Sequence, residues 1–291
     1  TSRSGLDPAG TNVWSTFSPL GATSTSPILW LKKLMTFSWA IFWILFLISS
    51  VASTLNMLNV IFISRFSLLG SIAIKHIEAI KKINQNAIIY ALRSSNNANN
   101  FKDIIDLYSI KDVPNDIDFI LISNPTSLHS KTILNVIDFN KPLFIEKPVF
   151  DSVINNDEIV RLIKEKNIKT YVACNLRFHP ALNFIKSYLN SNILKLNEVN
   201  VYCGSYLPKW RPLQDYTKSY SANQKLGGGV HLDLIHELDY TIWIFGKPIN
   251  YNSIKRKVSN LLIDTFDYTN YNLSYPDFNV SITLNYYRST P

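Results

Sequence analysis

Cysteine, methionine and glycine are scarce in this chain of 291 residues, which holds two Cys, two Met and nine Gly. Cys174 and Cys203 cannot build the disulfide framework of a small secreted domain, and they lack the spacing of a zinc site. No metal is therefore expected, and a reducing, cytoplasmic setting is the simplest placement. A hydrophobic content of 46% excludes a disordered tail, and the low glycine content excludes a collagen-like repeat. The length admits two domains of ordinary size. A formal net charge of +8 suits an anionic ligand or simply a soluble surface, and no nucleic-acid motif accompanies it.

Charge is scarce at one end. Residues 1–60 hold four charged side chains, Arg3, Asp7, Lys32 and Lys33, out of 29 basic and 21 acidic in the whole chain. The first part of this stretch is rich in Ser, Thr, Gly and Pro without helical or strand periodicity, which predicts disorder. Leu34 to Ala52 then runs without a charge, about the length that spans a hydrocarbon core. Two readings stand open: a membrane anchor with its lysines on the cytoplasmic side, or an out-of-frame or appended extension foreign to the fold.

From Gly70 onward the pattern is that of βαβ units. VIFIS reads as a strand, SIAIKHIEAIKKI as a helix with Ile72, Ile74, Ile77, Ile80 and Ile83 largely on one face, and AIIYAL as a buried parallel strand. A dinucleotide turn wants G-x-G-x-x-G/A after the first strand. Here Leu68 stands at the first glycine position, while Gly70 and Ala73 fit the other two, so Gly70, Ser71 and Ile72 are the candidate cofactor turn. After the second strand, NAD sites carry an acid for the ribose hydroxyl; this chain offers Arg93 and Ser94 instead. A guanidinium beside a hydroxyl suits a 2′-phosphate, which favours NADP over NAD.

Two further strands end in polar motifs. DFILIS runs into Asn124, Pro125, Thr126 and His129, and PLFI runs into Glu146, Lys147 and Pro148. Ligands of open parallel sheets bind beyond the carboxyl ends of the strands, so these groups are candidates to contact cofactor and substrate. Later, Asp233, His236 and Asp239 recur at intervals of three, which predicts one helical face. His236 is the candidate proton acceptor, because imidazole titrates near neutrality and a neighbouring carboxylate would orient it.

Taken together, NPTSLH, IEKPVF, CNLRFHPAL and GGGVHLDLIHELDYTIWIFG resemble the Gfo/Idh/MocA family of NAD(P)-dependent oxidoreductases over roughly residues 60–291. The resemblance implies an α/β chain with a Rossmann-type parallel sheet domain, then an α/β domain with an open, largely antiparallel sheet. That second domain carries the substrate pocket and an interface for homo-oligomers. It implies hydride transfer to or from a hydroxyl carbon of a sugar, nucleotide sugar or cyclitol. The EKP motif places Lys147 near the nicotinamide and the reacting hydroxyl, where an ammonium would stabilise developing alkoxide charge. Asp233 would orient substrate or His236, although many members separate these two residues by four positions rather than three.

The same resemblance puts Asn175, Arg177 and His179 at an inter-domain edge, where Arg177 either holds a substrate anion or braces the domains. The glycines 227–229 are expected beside the substrate. Tyr206, Trp210, Arg211 and Tyr216 lie in a long loop and are candidates to stack on a sugar ring and bind an acidic group. Past Gly246, three alternating segments predict antiparallel strands. The expected division is 1–58 as an extension, 59–174 as the dinucleotide-binding domain and 175–291 as a substrate domain that stops short. The alternative from a different class is a catalytically impaired remnant that binds nucleotide or sugar at most.

Overall fold

The computed structural model describes residues 59–63, 71–93, 103–152, 156–192 and 194–289. The apolar run 34–52, Leu68, Gly70 and Ser94 lie outside the described residues. No helix among the described residues is long and apolar enough to cross a membrane.

The first sheet has six parallel strands: β1 (Asn59–Ile63), β2 (Ile88–Leu92), β3 (Ile104–Leu107), β4 (Phe119–Ile122), β5 (Leu143–Ile145) and β6 (Thr170–Val172), in the order β3-β2-β1-β4-β5-β6. This order reverses between β1 and β4, so the carboxyl ends of those two strands flank the crevice where dinucleotides bind in such sheets. Helix α1 (Ser71–Ile83) connects β1 to β2, α2 (His129–Val136) connects β4 to β5, and α3 (Asp157–Glu165) connects β5 to β6.

Both faces of the sheet are buried, and β4 shows why its sequence is apolar throughout. Phe119 and Leu121 join a cluster with Val60, Ile80, Ile89 and Phe144, while Ile120 and Ile122 face Ile133, Val136, Ile145 and Ile159 on the other side. Alternate side chains leave a strand on opposite faces, so a strand covered on both sides has no polar positions to spare. On α1 the buried face is Ala73, His76, Ala79 and Ile80, whereas Ile72 is exposed. The isoleucine stripe expected from the sequence is thus rotated, because small residues let the helix approach the sheet closely.

After α4 (Pro180–Ser191), a second sheet forms from β7 (Glu198–Gly204), β8 (Asn250–Arg256), β9 (Tyr268–Ser274) and β10 (Asn279–Asn285) in the order β7-β10-β9-β8. The expected antiparallel pairs are β8 with β9 and β9 with β10; β7, which the sequence pattern did not reveal, pairs with β10 in parallel. The sheet is therefore open and mixed. Two helices, α5 (Val230–Asp233) and α6 (Ile235–Phe245), lie between β7 and β8 in the chain. Val230 from α5 joins Val280, Ile282, Leu284 and Tyr286 in the core below this sheet.

Leu121→Ala should lower stability by about 2–5 kcal/mol, since its cluster is tightly packed and a cavity would remain. Leu262→Ala, at a position 72% exposed, should change it by less than about 0.5 kcal/mol. Urea denaturation midpoints at constant m-value provide the comparison.

Candidate functional site

The site forms where the carboxyl edge of the first sheet meets the helices preceding β8. Glu146 and Lys147 directly follow β5, and the Lys147–Pro148 peptide is cis. The Lys147 ammonium donates to the main-chain carbonyl of Asp233 at 2.7 Å. That carbonyl is available because the helix breaks: Leu234 has φ −97° and ψ 32°, and the N–H of Glu237 turns to Leu234 O. Asp233 and His236 consequently lie on separate helices, α5 and α6, which corrects the expectation of one continuous face.

The carboxylate of Asp233 has other partners than expected. It accepts hydrogen bonds from the hydroxyls of Tyr220 and Tyr286, both very short. Burial first, and then the Asp233 charge and these bonds, hold both phenols protonated, well above the usual tyrosine range. Asp233 therefore meets Lys147 through its main chain, and its carboxylate does not orient His236. Phenols orient it instead.

His236 lies in the first turn of α6, and its Nδ1 is buried without a hydrogen-bond partner among the described residues. Burial, reinforced by the Lys147 charge and opposed by Asp239 and Glu146, lowers its pKa to about 4. It is neutral at pH 7. The next residue, Glu237, was not singled out from the sequence; burial pushes its carboxyl upward, and Oε2 finds no partner among the described residues. Its only sequence signal was adjacency to His236.

Arg177 donates to Asp239 with both Nε, at 2.9 Å, and Nη2, at 2.5 Å. This pair ties the turn 175–178 to α6 within the segment 175–291, so it is neither a bridge between the two expected domains nor a contact to a substrate anion. Burial and the nearby Asp239 push the thiol of Cys174 up to about 12, so it is inert as a nucleophile near neutrality. His179 caps α4, its Nδ1 accepting the N–H of Ala181 at 3.2 Å. The cap engages one ring nitrogen of His179 with the backbone.

At the end of β4, Ser123 Oγ and Asn124 Oδ1 are buried without partners among the described residues, while Asn124 Nδ2 donates to Thr132. These orphans border the β1–β4 crevice, and a ligand there would satisfy them. His129 does not face it. Its ring is enclosed, with Nε2 at 2.9 Å from Asn124 O and Nδ1 at 3.0 Å from Pro148 O, so it bridges the two loops. Burial lowers its pKa despite the carbonyls around it. This corrects the cofactor-contact expectation for His129.

Pro125 and Thr126 form the turn against which the glycines pack. A Cβ at Gly227, where φ is +82°, would lie 3.0 Å from Ser127 N and 3.2 Å from Thr126 Cβ. One at Gly228 would stand 2.2 Å from Tyr220 O. The glycine run is thus demanded by close backbone approach between the two loops.

Arg93 is turned inward, its side chain fully buried and its Nε donating to Asp106 on β3 at 2.7 Å. This corrects the expectation of a guanidinium presented to a ribose phosphate, because the pair closes within the sheet. Ser71 opens α1, and exposed Ile72 follows it. The long loop is built from short 3-10 turns. Trp210 bonds Ser205 and packs edge-on against Tyr286, and Lys209 lies 5.9 Å over the Tyr206 ring. Tyr216 accepts the N–H of Leu262, while Arg211 is exposed and close enough for its charge to act on Tyr220. No cluster of metal-ligating side chains occurs among the described residues.

The strand order β3-β2-β1-β4-β5-β6 is that of a doubly wound, Rossmann-type sheet, the class of fold that holds dinucleotides. Residues 66–174 match the model of the Gfo/Idh/MocA oxidoreductase family with an NAD-binding Rossmann fold. It is 24% identical over 192 residues to myo-inositol 2-dehydrogenase of Thermotoga maritima, covering 62% of this chain and 54% of that protein. It is 24% identical over 174 residues to the NADP(+)-dependent scyllo-inositol 2-dehydrogenase IolW of Bacillus subtilis, covering 58% and 47%. The chain spans about a third to a half of the length of the curated relatives it matches. Among solved structures it is similar to the WlbA dehydrogenase of Chromobacterium violaceum in complex with NADH and UDP-GlcNAcA. That likeness has a TM-score of 0.68 at 16% identity, over 81% of this chain and 69% of the other, and it bears on fold alone.

Burial holds the imidazoles of both His231 and His236 near 4 against an ordinary 6.5. The unfolded chain therefore binds more protons between these values. The stability they contribute is complete above pH 6.5 and is lost as pH falls toward 4, on the order of 2–3 kcal/mol for each. His231→Leu should show a smaller drop in urea midpoint than the wild type between neutral pH and about pH 4.5. Equal drops would contradict the assignment.

Proposed function

We propose that the chain is an NAD(P)-dependent dehydrogenase or reductase of CH–OH groups in a sugar, nucleotide sugar or cyclitol. Lys147 and His236 are its reactive pair. The observation that carries this reading is the Lys147 ammonium, anchored on a main-chain carbonyl at the carboxyl edge of β5, with a neutral buried imidazole within reach of its charge. When bound, the nicotinamide accepts or supplies the hydride. The protein's part is to handle the hydroxyl proton. The ammonium stabilises developing alkoxide charge, and the imidazole takes up the proton. Asp233 supports the pair by offering its carbonyl to Lys147.

The orphaned Ser123 and Asn124 groups, with the start of α1, fit a dinucleotide across the β1–β4 crevice. Since Arg93 is committed to Asp106, a preference for NADP would rest on the segment that follows it. The division into a cofactor domain at 59–174 and a substrate domain at 175–291 belongs to the same proposal. So do substrate contacts from Tyr206, Trp210, Arg211 and Tyr216. Cys174 and Cys203 form no disulfide, which supports a cytoplasmic setting.

Titration with NADPH and NADH should quench protein fluorescence. Lys147→Met should lower turnover of a polyol and sugar panel by about 10²–10⁴-fold while circular dichroism shows the chain still folded. Turnover equal to the wild type would refute the role of Lys147, and failure to bind either nucleotide would identify a remnant of the family.

A homo-oligomer through the second sheet is supported by β8, which is exposed along its whole length and shows Tyr251 and Ile254 to solvent. Light scattering should give a multiple of 33.3 kDa. A mass of one chain would count against that interface.

A further inference from the structure

His76 sits in the second turn of α1, almost wholly buried, with its ring edge-on to Phe144 at a centroid separation of 5.3 Å. Its Nε2 lies 2.6 Å from Glu146 Oε1. The other oxygen of that carboxylate, Oε2, accepts the main-chain N–H of Lys147 at 3.2 Å. A carboxylate engaged at both oxygens has one orientation, and here it fixes the backbone from which the Lys147 side chain departs. The lysine then continues to the carbonyl of Asp233 at 2.7 Å. Three successive polar contacts join α1, the end of β5 and the end of α5.

The electrostatics agree with this geometry. Burial would raise the Glu146 carboxyl, but the bond and charge of His76 and the charge of Lys147 outweigh it and hold the group below the usual range. Glu146 is therefore an anion that accepts from both neighbours. Without His76 it would be a buried charge short of a partner, free to swing toward the lysine ammonium and neutralise it.

We propose that His76 is a positioning residue for Lys147, acting through Glu146, and that it keeps the lysine ammonium on the Asp233 carbonyl. The proposal rests on the reactive role given to Lys147 above and extends it to a helix that never touches the reacting atoms. It also ties the lysine to the helix whose start borders the cofactor crevice.

The test compares His76→Ala with His76→Gln, because the glutamine amide nitrogen stands as many bonds from Cα as histidine Nε2 and can restore the contact. The first readout needs no turnover. Lys147 in the full chain is labelled with acetic anhydride from neutral to alkaline pH, and the labelled peptide is quantified by mass spectrometry. The expected result is severalfold faster labelling in His76→Ala and a return to the wild-type pH profile in His76→Gln.

The second readout is kinetic: kcat should fall roughly tenfold or more in His76→Ala, as a misplaced reactive group predicts, while the cofactor KM stays nearly constant. Wild-type labelling in folded His76→Ala, or a His76→Gln variant that behaves like it, would overturn the proposal. Should His76→Ala lose the fold, Glu146→Gln removes the anion at constant size, and an unchanged labelling profile there would overturn it equally. Loss of nucleotide binding in the wild type would refute the oxidoreductase reading, and the labelling arm would still decide whether His76 positions Lys147.

Discussion

The arrangement depends on one bond, from the Lys147 ammonium to the carbonyl of Asp233. A carbonyl at a helix end lacks an intrahelical donor, and a lysine is a natural partner for it. Here the carbonyl is freed by the break at Leu234, and the lysine that takes it comes from the other sheet. A carbonyl does not neutralise the ammonium, unlike a carboxylate. The positive charge therefore remains at the edge of the first sheet and, together with burial, keeps His236 unprotonated.

Of the acids near that charge, Glu237 is pushed up by burial and three others are occupied elsewhere, since an unpaired buried carboxylate would be costly. Glu146 meets His76, Asp239 meets Arg177, and Asp233 meets the two phenols of Tyr220 and Tyr286. No carboxylate lies within ion-pair distance of the Lys147 ammonium among the described residues. The two phenols come from a turn in the long loop and from the residue after β10. The same contact that occupies Asp233 therefore fastens that loop to the second sheet.

The sheet-forming part of this design was legible in sequence because it is local. Apolar runs such as FILI and LFI, followed at once by NPT and EKP, mark buried parallel strands and their carboxyl ends. Lys147 was found that way and His236 by its spacing from Asp233 and Asp239, and the charge of Lys147 acts on His236 in the structure. The rest depends on tertiary pairing. Arg93 looked like a strand-end guanidinium, but its partner Asp106 sits beside it only because β2 and β3 pair with Ala91 opposite Asp106. The break at Leu234 was invisible because Leu and Ile are good helix residues, and only the demands of the glycine turn and the lysine explain it. His76 was passed over as one polar residue on an isoleucine helix. Its place among Ala73, Ala79 and Ile80 on the buried face emerges only once α1 is docked.

The break at Leu234 also separates two functions that a continuous helix would merge. With Asp233 and His236 on one helical face, the carboxylate would stand beside the imidazole and raise its affinity for a proton, favouring an ion pair at neutral pH. Ending α5 at Asp233 lets its side chain turn to the tyrosines and its carbonyl to Lys147, while His236 begins a new helix with Nδ1 unpartnered. In the proposed reaction, a hydroxyl near both groups would meet a fixed positive charge and an unprotonated imidazole. That combination draws the proton away from oxygen as the carbon loses hydride, and it needs no carboxylate in contact with the substrate.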